Sequence, residues 1–215
     1  MRRIIFSKYS NDRDRRFAIR TDIVRNDDGG ADLMEVEKHA MFPEGSEHLE
    51  RQSRYFAEYS DRYSAAGLEL AEAGMDGGTL RYQFIDGDSV SDRIDAYIDC
   101  GDADKAADLL LAFCERIRDL YSVETWKSTE QFGKVFGTVD FANVSPEGIK
   151  GCSFADIDLV PENIIVSGDK GYVTDYEWIF DFPIPADYVV YRAIRTYMYS
   201  GGKRNMLMQH EPVSY

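Results

Sequence analysis

Histidine and cysteine are scarce in this chain of 215 residues, with three of each. His39, His48 and His210 are scattered, which gives a histidine metal centre no basis. Cys100, Cys114 and Cys152 are odd in number and widely spaced, matching neither a disulfide framework nor a zinc pattern. Positive charge is also short: 25 Lys and Arg against 39 Asp and Glu leave a net charge of −14. That deficit argues against a nucleic-acid-binding surface or a basic membrane-surface helix. No apolar run approaches the roughly 20 residues of a membrane span. The opening Met1–Lys8 turns polar too early for a signal-peptide core. The expectation is a protein of a reducing, cytoplasmic setting, with no membrane insertion and no nucleic-acid partner.

What is present is an ordinary globular mixture, 44% hydrophobic and 30% charged. The length suits one large domain or two small lobes, and no internal repeat or low-complexity segment stands out. The first third alternates short strand-like runs with turns. Arg3–Tyr9, Phe17–Val24 and Leu33–Met41 read as an antiparallel meander, with Asn26-Asp27-Asp28-Gly29-Gly30 a strong turn signal. A helix is expected from Pro43-Glu44 to Tyr63, with Leu49, Phe56, Tyr59 and Tyr63 on one face. Leu68–Ala73 and Leu80–Ile85 read as two further strands, so residues 1–87 read β-β-β-α-β-β.

The remainder, 88–215, reads mostly helical. Ser91–Ile98 is a short amphipathic helix. Asp102–Tyr121 is a longer one, its stripe formed by Ala106, Leu110, Phe113, Ile117, Leu120 and Tyr121. Residues 122–152 carry anchors (Phe132, Val135, Phe136, Phe141) without clear periodicity. Asp156–Asn163 then leads into the apolar Ile164-Ile165-Val166, a turn at Ser167–Gly171, and Tyr172–Trp178. Ala186–Tyr199 is a final helix rich in aromatics, and Gly201-Gly202-Lys203-Arg204 reads as a linker or exposed turn.

Asp158 and Asn163 form a D-x-x-x-x-N run, and a short hairpin separates Asn163 from Asp175. This resembles the catalytic core of the kinase-like fold, most closely the small-molecule branch that includes aminoglycoside phosphotransferases. Val36-Glu37-Lys38 resembles that fold's lysine-bearing third strand, and Phe84-Ile85-Asp86-Gly87 followed by Ser89 resembles its hinge. A narrower likeness is to kinase-like modules of larger bacterial proteins that also carry glycosyltransferase domains. It is carried by Val135-Phe136-Gly137, Asp175-Tyr176-Glu177-Trp178 and Phe182-Pro183-Ile184-Pro185. The resemblance implies an α+β, two-lobed fold. Its N-terminal lobe is a five-stranded antiparallel sheet with one helix, followed by an abbreviated, mostly helical C-terminal lobe.

The same resemblance implies an ATP- and magnesium-dependent phosphotransferase acting on a small hydroxylated acceptor, such as a sugar or a cell-surface glycan. Phosphoryl transfer needs charge neutralisation and alignment more than covalent help, and magnesium takes oxygen ligands. Asp175 and Asn163 would hold the metal, and Asp158 would take or orient the acceptor's proton. Lys38 would hold the α/β-phosphates, positioned by a helical glutamate, Glu47 or preferably Glu50. Backbone groups at Gln83, Phe84 and Ile85 would meet the adenine edge. Three departures stand against that pattern. The turn Ser10–Arg16 has no glycine and offers Arg13, Arg15 and Arg16 instead. Asp156 stands where the family has His, close enough to Asp158 for one carboxyl to be raised or a cation to be recruited. Only 40 residues follow Asp175. The glycine-free turn and the short C-terminal portion support an alternative, a non-catalytic kinase-like module that organises a larger glycosyltransferase-type protein.

Overall fold

The first 40 residues form three long strands. β1 (Arg2–Tyr9), β2 (Ile19–Asp28) and β3 (Ala31–Ala40) pair antiparallel, with Thr21 opposite Lys38 and Asp22 opposite Glu37. The computed structural model describes every residue except 11, 29–30, 141–144, 146, 200, 205–206 and 208–215, and only the backbone at 27–28 and 31–32. The expected turn at Gly29-Gly30, Asn11 of the first turn and the anchor Phe141 therefore lie outside the described residues. The chain divides into two compact units, Met1–Asp86 and Gly87–Tyr215.

In the first unit a 3-10 turn at Pro43–Gly45 leads into α1 (Ser46–Ala65), with proline at a position whose N–H no helix bond requires. The buried face of α1 is His48, Leu49, Gln52, Tyr55 and Tyr63. Expectation put Phe56 and Tyr59 on that stripe, but both are half-buried, because the stripe steps by three from Leu49 to Gln52 to Tyr55. The expected strand Leu68–Ala73 is two strands, β4 (Leu68–Leu70) and β5 (Ala73–Asp76). The break falls at Ala71-Glu72, and beyond it Gly77 and Gly78, both with positive φ, close a tight hairpin from β5 to β6 (Thr79–Gln83). The sheet is five-stranded and antiparallel throughout, in the order β1-β2-β3-β6-β5.

The second unit opens with β7 (Asp88–Ser89) and α2 (Val90–Asp99). Ser89 and Asp92 cap the helix reciprocally: Asp92 N–H donates to Ser89 Oγ at 3.0 Å and Ser89 N–H to Asp92 Oδ2 at 3.2 Å. α3 (Ala103–Tyr121) is capped by Asp102 and buries all six residues of its expected stripe. Burial pushes the thiol of Cys114, on the same face, up to about 11, so it packs as an inert apolar group. Residues without periodicity in the sequence form β8 (Glu124–Thr125), α4 (Glu130–Phe136) and β9 (Lys150–Cys152). Aromatic contacts hold α4: Phe132 meets Trp126 at 5.1 Å, and Phe136 meets Phe180 at 5.5 Å and Tyr188 at 5.4 Å.

β10 (Ala155–Asp156), β11 (Ile164–Ser167), β12 (Lys170–Val173), β13 (Ile179–Phe180) and β14 (Ile184–Pro185) follow, then α5 (Ala186–Tyr199). β11 pairs with β12 and β7, and β10 with β13. Gly87 admits no side chain, since a Cβ there would stand 2.3 Å from the Val166 carbonyl oxygen. α5 buries Val189, Val190, Ala193 and Tyr197, while Tyr191 and Tyr199 are exposed. The tail after α5 departs from expectation. Gly202–Arg204 is a 3-10 turn, and Arg204 is buried rather than part of a linker, because its guanidinium finds two carboxylates. Among the described residues no helix is long and apolar enough to cross a membrane.

Candidate active site

The loop from Asp156 to Asn163 folds around its own polar groups. Asp158 N–H donates to Asp156 Oδ1 at 3.0 Å. The Asp158 carbonyl then accepts from Val160 N–H at 2.8 Å and from Asn163 Nδ2 at 2.9 Å. The four residues between Asp158 and Asn163 allow this closure: a 3-10 turn at Pro161–Asn163 brings the amide back over the start of the loop. With Nδ2 committed to the loop, Asn163 keeps Oδ1 as its acceptor. The Asn163 carbonyl takes Thr174 N–H at 2.9 Å and the Thr174 hydroxyl at 3.2 Å. Ile164 pairs with Val173, so Asn163 and Asp175 leave the β11–β12 hairpin at the same end.

Asp156 is fully buried, and its carboxyl is raised well above the ordinary aspartate value. Burial is the largest cause, followed by the charge of Asp158; Asp175 and Glu177 add to it, while the bond from Asp158 N–H opposes it. The same couplings gather Asp158, Asp175 and Glu177 around Asp156. Oδ2 of Asp156 makes no hydrogen bond among the described residues, as fits a neutral carboxyl. Unfolded, an aspartate releases its proton near 3.8, whereas folded Asp156 holds it to much higher pH. Its contribution to stability is therefore complete below that value and is lost as pH rises through the folded one. Asp156→Asn keeps an acceptor for Asp158 N–H and removes the ionisable group. The variant is expected to unfold at higher temperature than wild type at pH 7–8, with the advantage shrinking toward pH 4; paired thermal melts across that range check it.

Two arginines that sequence reasoning did not single out brace this loop. Arg192, on α5, donates from Nη2 to Asp158 Oδ1 at 2.8 Å and from Nε to the Ile157 carbonyl at 3.4 Å. Arg204 donates from Nη1 to Glu162 Oε1 at 3.0 Å, and from Nε and Nη2 to the two oxygens of Asp95 at 2.9 and 2.8 Å. Its hydrogen bonds hold the Asp95 carboxyl below the usual range.

In the first unit Lys38 is buried on β3, on the face turned to α1. Its Nζ lies 3.5 Å from Gln52 Oε1 and 5.0 Å from the centroid of the Tyr82 ring, and the Tyr82 hydroxyl donates to the same Gln52 oxygen at 2.8 Å. Glu50, expected to position Lys38, is exposed, as is Glu47. Glu50 sits two residues from Gln52, about 200° around the helix, so α1 presents an amide to Lys38 rather than a carboxylate. The signal was legible: Gln52 is a polar residue at a stripe position. Gln83 already donates its backbone N–H to the Glu72 carbonyl at 2.9 Å, and Phe84 and Ile85 follow outside regular secondary structure. The arginines of the first turn have local partners: Arg16 pairs with Asp14 at 2.9 Å, and Arg15 lies over Phe42 at 4.4 Å and near Glu44 at 3.4 Å.

Among the described residues no group of three or more His, Cys, Asp or Glu side chains is set to hold a metal ion. Asn163 and Asp175 carry oxygen donors, the type a hard cation takes.

No family model matches the sequence, and no curated protein matches it. A solved structure to which the chain is similar is the apoenzyme of the macrolide 2'-phosphotransferase MphH from Brachybacterium faecium. The two are 12% identical, over 91% of this chain and 77% of that one, with a TM-score of 0.45.

Proposed function

We propose that this protein is an ATP- and magnesium-dependent phosphotransferase with a kinase-like fold, acting on a small hydroxylated acceptor such as a sugar or a cell-surface glycan. The observation that carries the reading is the closed Asp156–Asn163 loop, followed by a hairpin that delivers Asp175 beside it. Asn163 Oδ1 and Asp175 would hold magnesium, which would neutralise charge on the phosphates. Lys38 takes the α/β-phosphates, and the chain at Phe84–Ile85 the adenine edge. Asp158 accepts the proton of the acceptor hydroxyl as its oxygen bonds to the γ-phosphorus. The β–γ bridging bond breaks with its electron pair remaining on ADP.

A second reading is favoured by the amide of Gln52 beside Lys38 and by the glycine-free turn before β2. In it the chain is a non-catalytic kinase-like module that organises a glycosyltransferase-type partner or a larger protein containing one. Calorimetric titration with magnesium-ATP separates the readings. For the enzyme, wild type binds, and Asp175→Ala and Lys38→Met each weaken binding by about tenfold or more, on the order of 1.4 kcal/mol. Equal binding by wild type and Asp175→Ala would remove the metal role. For the module, no hydroxylated acceptor gives turnover, and binding to a glycosyltransferase survives Asp158→Ala.

A further inference from the structure

We infer that Arg192 is a positioning residue for Asp158, and that it fixes which carboxylate oxygen of Asp158 meets the acceptor hydroxyl. This rests on the phosphotransferase reading above. Asp158 stands directly beside the buried Asp156, to which its N–H donates at 3.0 Å. A proton acceptor there must be held in one orientation. Arg192 supplies a permanent cation, since a guanidinium does not deprotonate in proteins.

Its geometry differs from that of a loose surface pair. Both side chains are about 29% exposed. The guanidinium bridges the Ile157 carbonyl and Asp158 Oδ1, so it reads the loop's backbone and its carboxylate together. Arg192 is itself held by the neighbouring anchors Val189, Val190 and Ala193, all buried on α5. From the other side, Asp158 N–H is tied to Asp156. Oδ1 is thereby occupied, and Oδ2, which makes no hydrogen bond among the described residues, is the oxygen left to take a proton.

The test measures magnesium-ATP turnover in the full chain, with water as acceptor, for wild type, Arg192→Met, Arg192→Lys, Asp158→Ala and the double variant Asp158→Ala/Arg192→Met. Arg192→Met is expected to lower kcat by about 10- to 100-fold, the usual effect of losing a group that orients a reacting one. KM for ATP stays within about twofold of wild type. Arg192→Lys, which keeps the charge but not the fork, recovers part of the loss, and Arg192→Met costs nothing further once Asp158 is alanine. Wild-type kcat in Arg192→Met overturns the inference and leaves the phosphotransferase reading intact. So does a raised KM at unchanged kcat, an equal loss in the Asp158→Ala background, or faster turnover, which would make Arg192 a plug. Absence of turnover in wild type overturns both, and that arm alone reveals it.

Discussion

Asp158→Ala is expected to reduce phosphoryl transfer by about 10²- to 10⁴-fold, the range for removing a general base, while magnesium-ATP affinity and thermal stability stay close to wild type. The separation follows from how the loop is closed. Asp158 serves it through its backbone: the N–H goes to Asp156, and the carbonyl takes Val160 and Asn163. None of those bonds uses the side chain, so alanine preserves the loop and the orientation of Asn163. The side chain's partner is Arg192, and a partly exposed guanidinium left without it is hydrated at small cost. Initial-rate kinetics with a hydroxylated acceptor, beside a calorimetric titration, test this. Unchanged kcat would remove the proton-accepting role, and a collapse of nucleotide binding would mean that Asp158 touches nucleotide or metal.

Local patterns account for what could be read in advance. An apolar, β-leaning run marks β1, alternation marks β2 and β3, the 3.6-residue stripe marks α3, and the D-x-x-x-x-N run with its following hairpin marks Asp158, Asn163 and Asp175. Strands of two residues, such as β8, β10 and β13, have no period to detect, because each is held by a partner distant in sequence. The braces of the loop are hidden for the same reason. Arg192 lies 34 residues from Asp158, and Arg204 lies 109 from Asp95. Nothing local distinguishes them from solvated cations. Gln52 is an intermediate case: its position on the α1 stripe was legible, but its choice over Glu47 and Glu50 depends on which face meets the sheet. That choice bears on function, because the Gln52 amide meets Lys38 by a hydrogen bond and not by charge.

Arg204→Ala is expected to give a large loss of stability in the second unit. The side chain is 9% exposed and satisfies two carboxylates and the Tyr197 carbonyl, with its guanidinium 3.9 Å from the centroid of the Tyr197 ring. Truncation leaves Asp95 and Glu162 facing one another without their cation. It also leaves Tyr197, whose hydroxyl donates to Asp95 at 2.7 Å, without the guanidinium over its ring. Breaking a buried pair costs about 3–5 kcal/mol. Both carboxylates are about one-third exposed, which lowers the expectation to about 2–4 kcal/mol, or a melting point roughly 5–15 °C lower. Arg204→Lys keeps the charge but loses the two-pronged contact with Asp95, and falls between. The pH dependence has a definite sign. Arg204's hydrogen bonds lower the Asp95 carboxyl from 3.8, so the pair's contribution is present above that value and is lost as pH falls through the folded one. The gap between wild type and Arg204→Ala therefore narrows below about pH 4. Because Arg204 also holds Glu162, one residue before Asn163, the alanine variant should lose magnesium-ATP affinity at temperatures where it is still folded. Intact affinity there would show that the clasp serves stability alone.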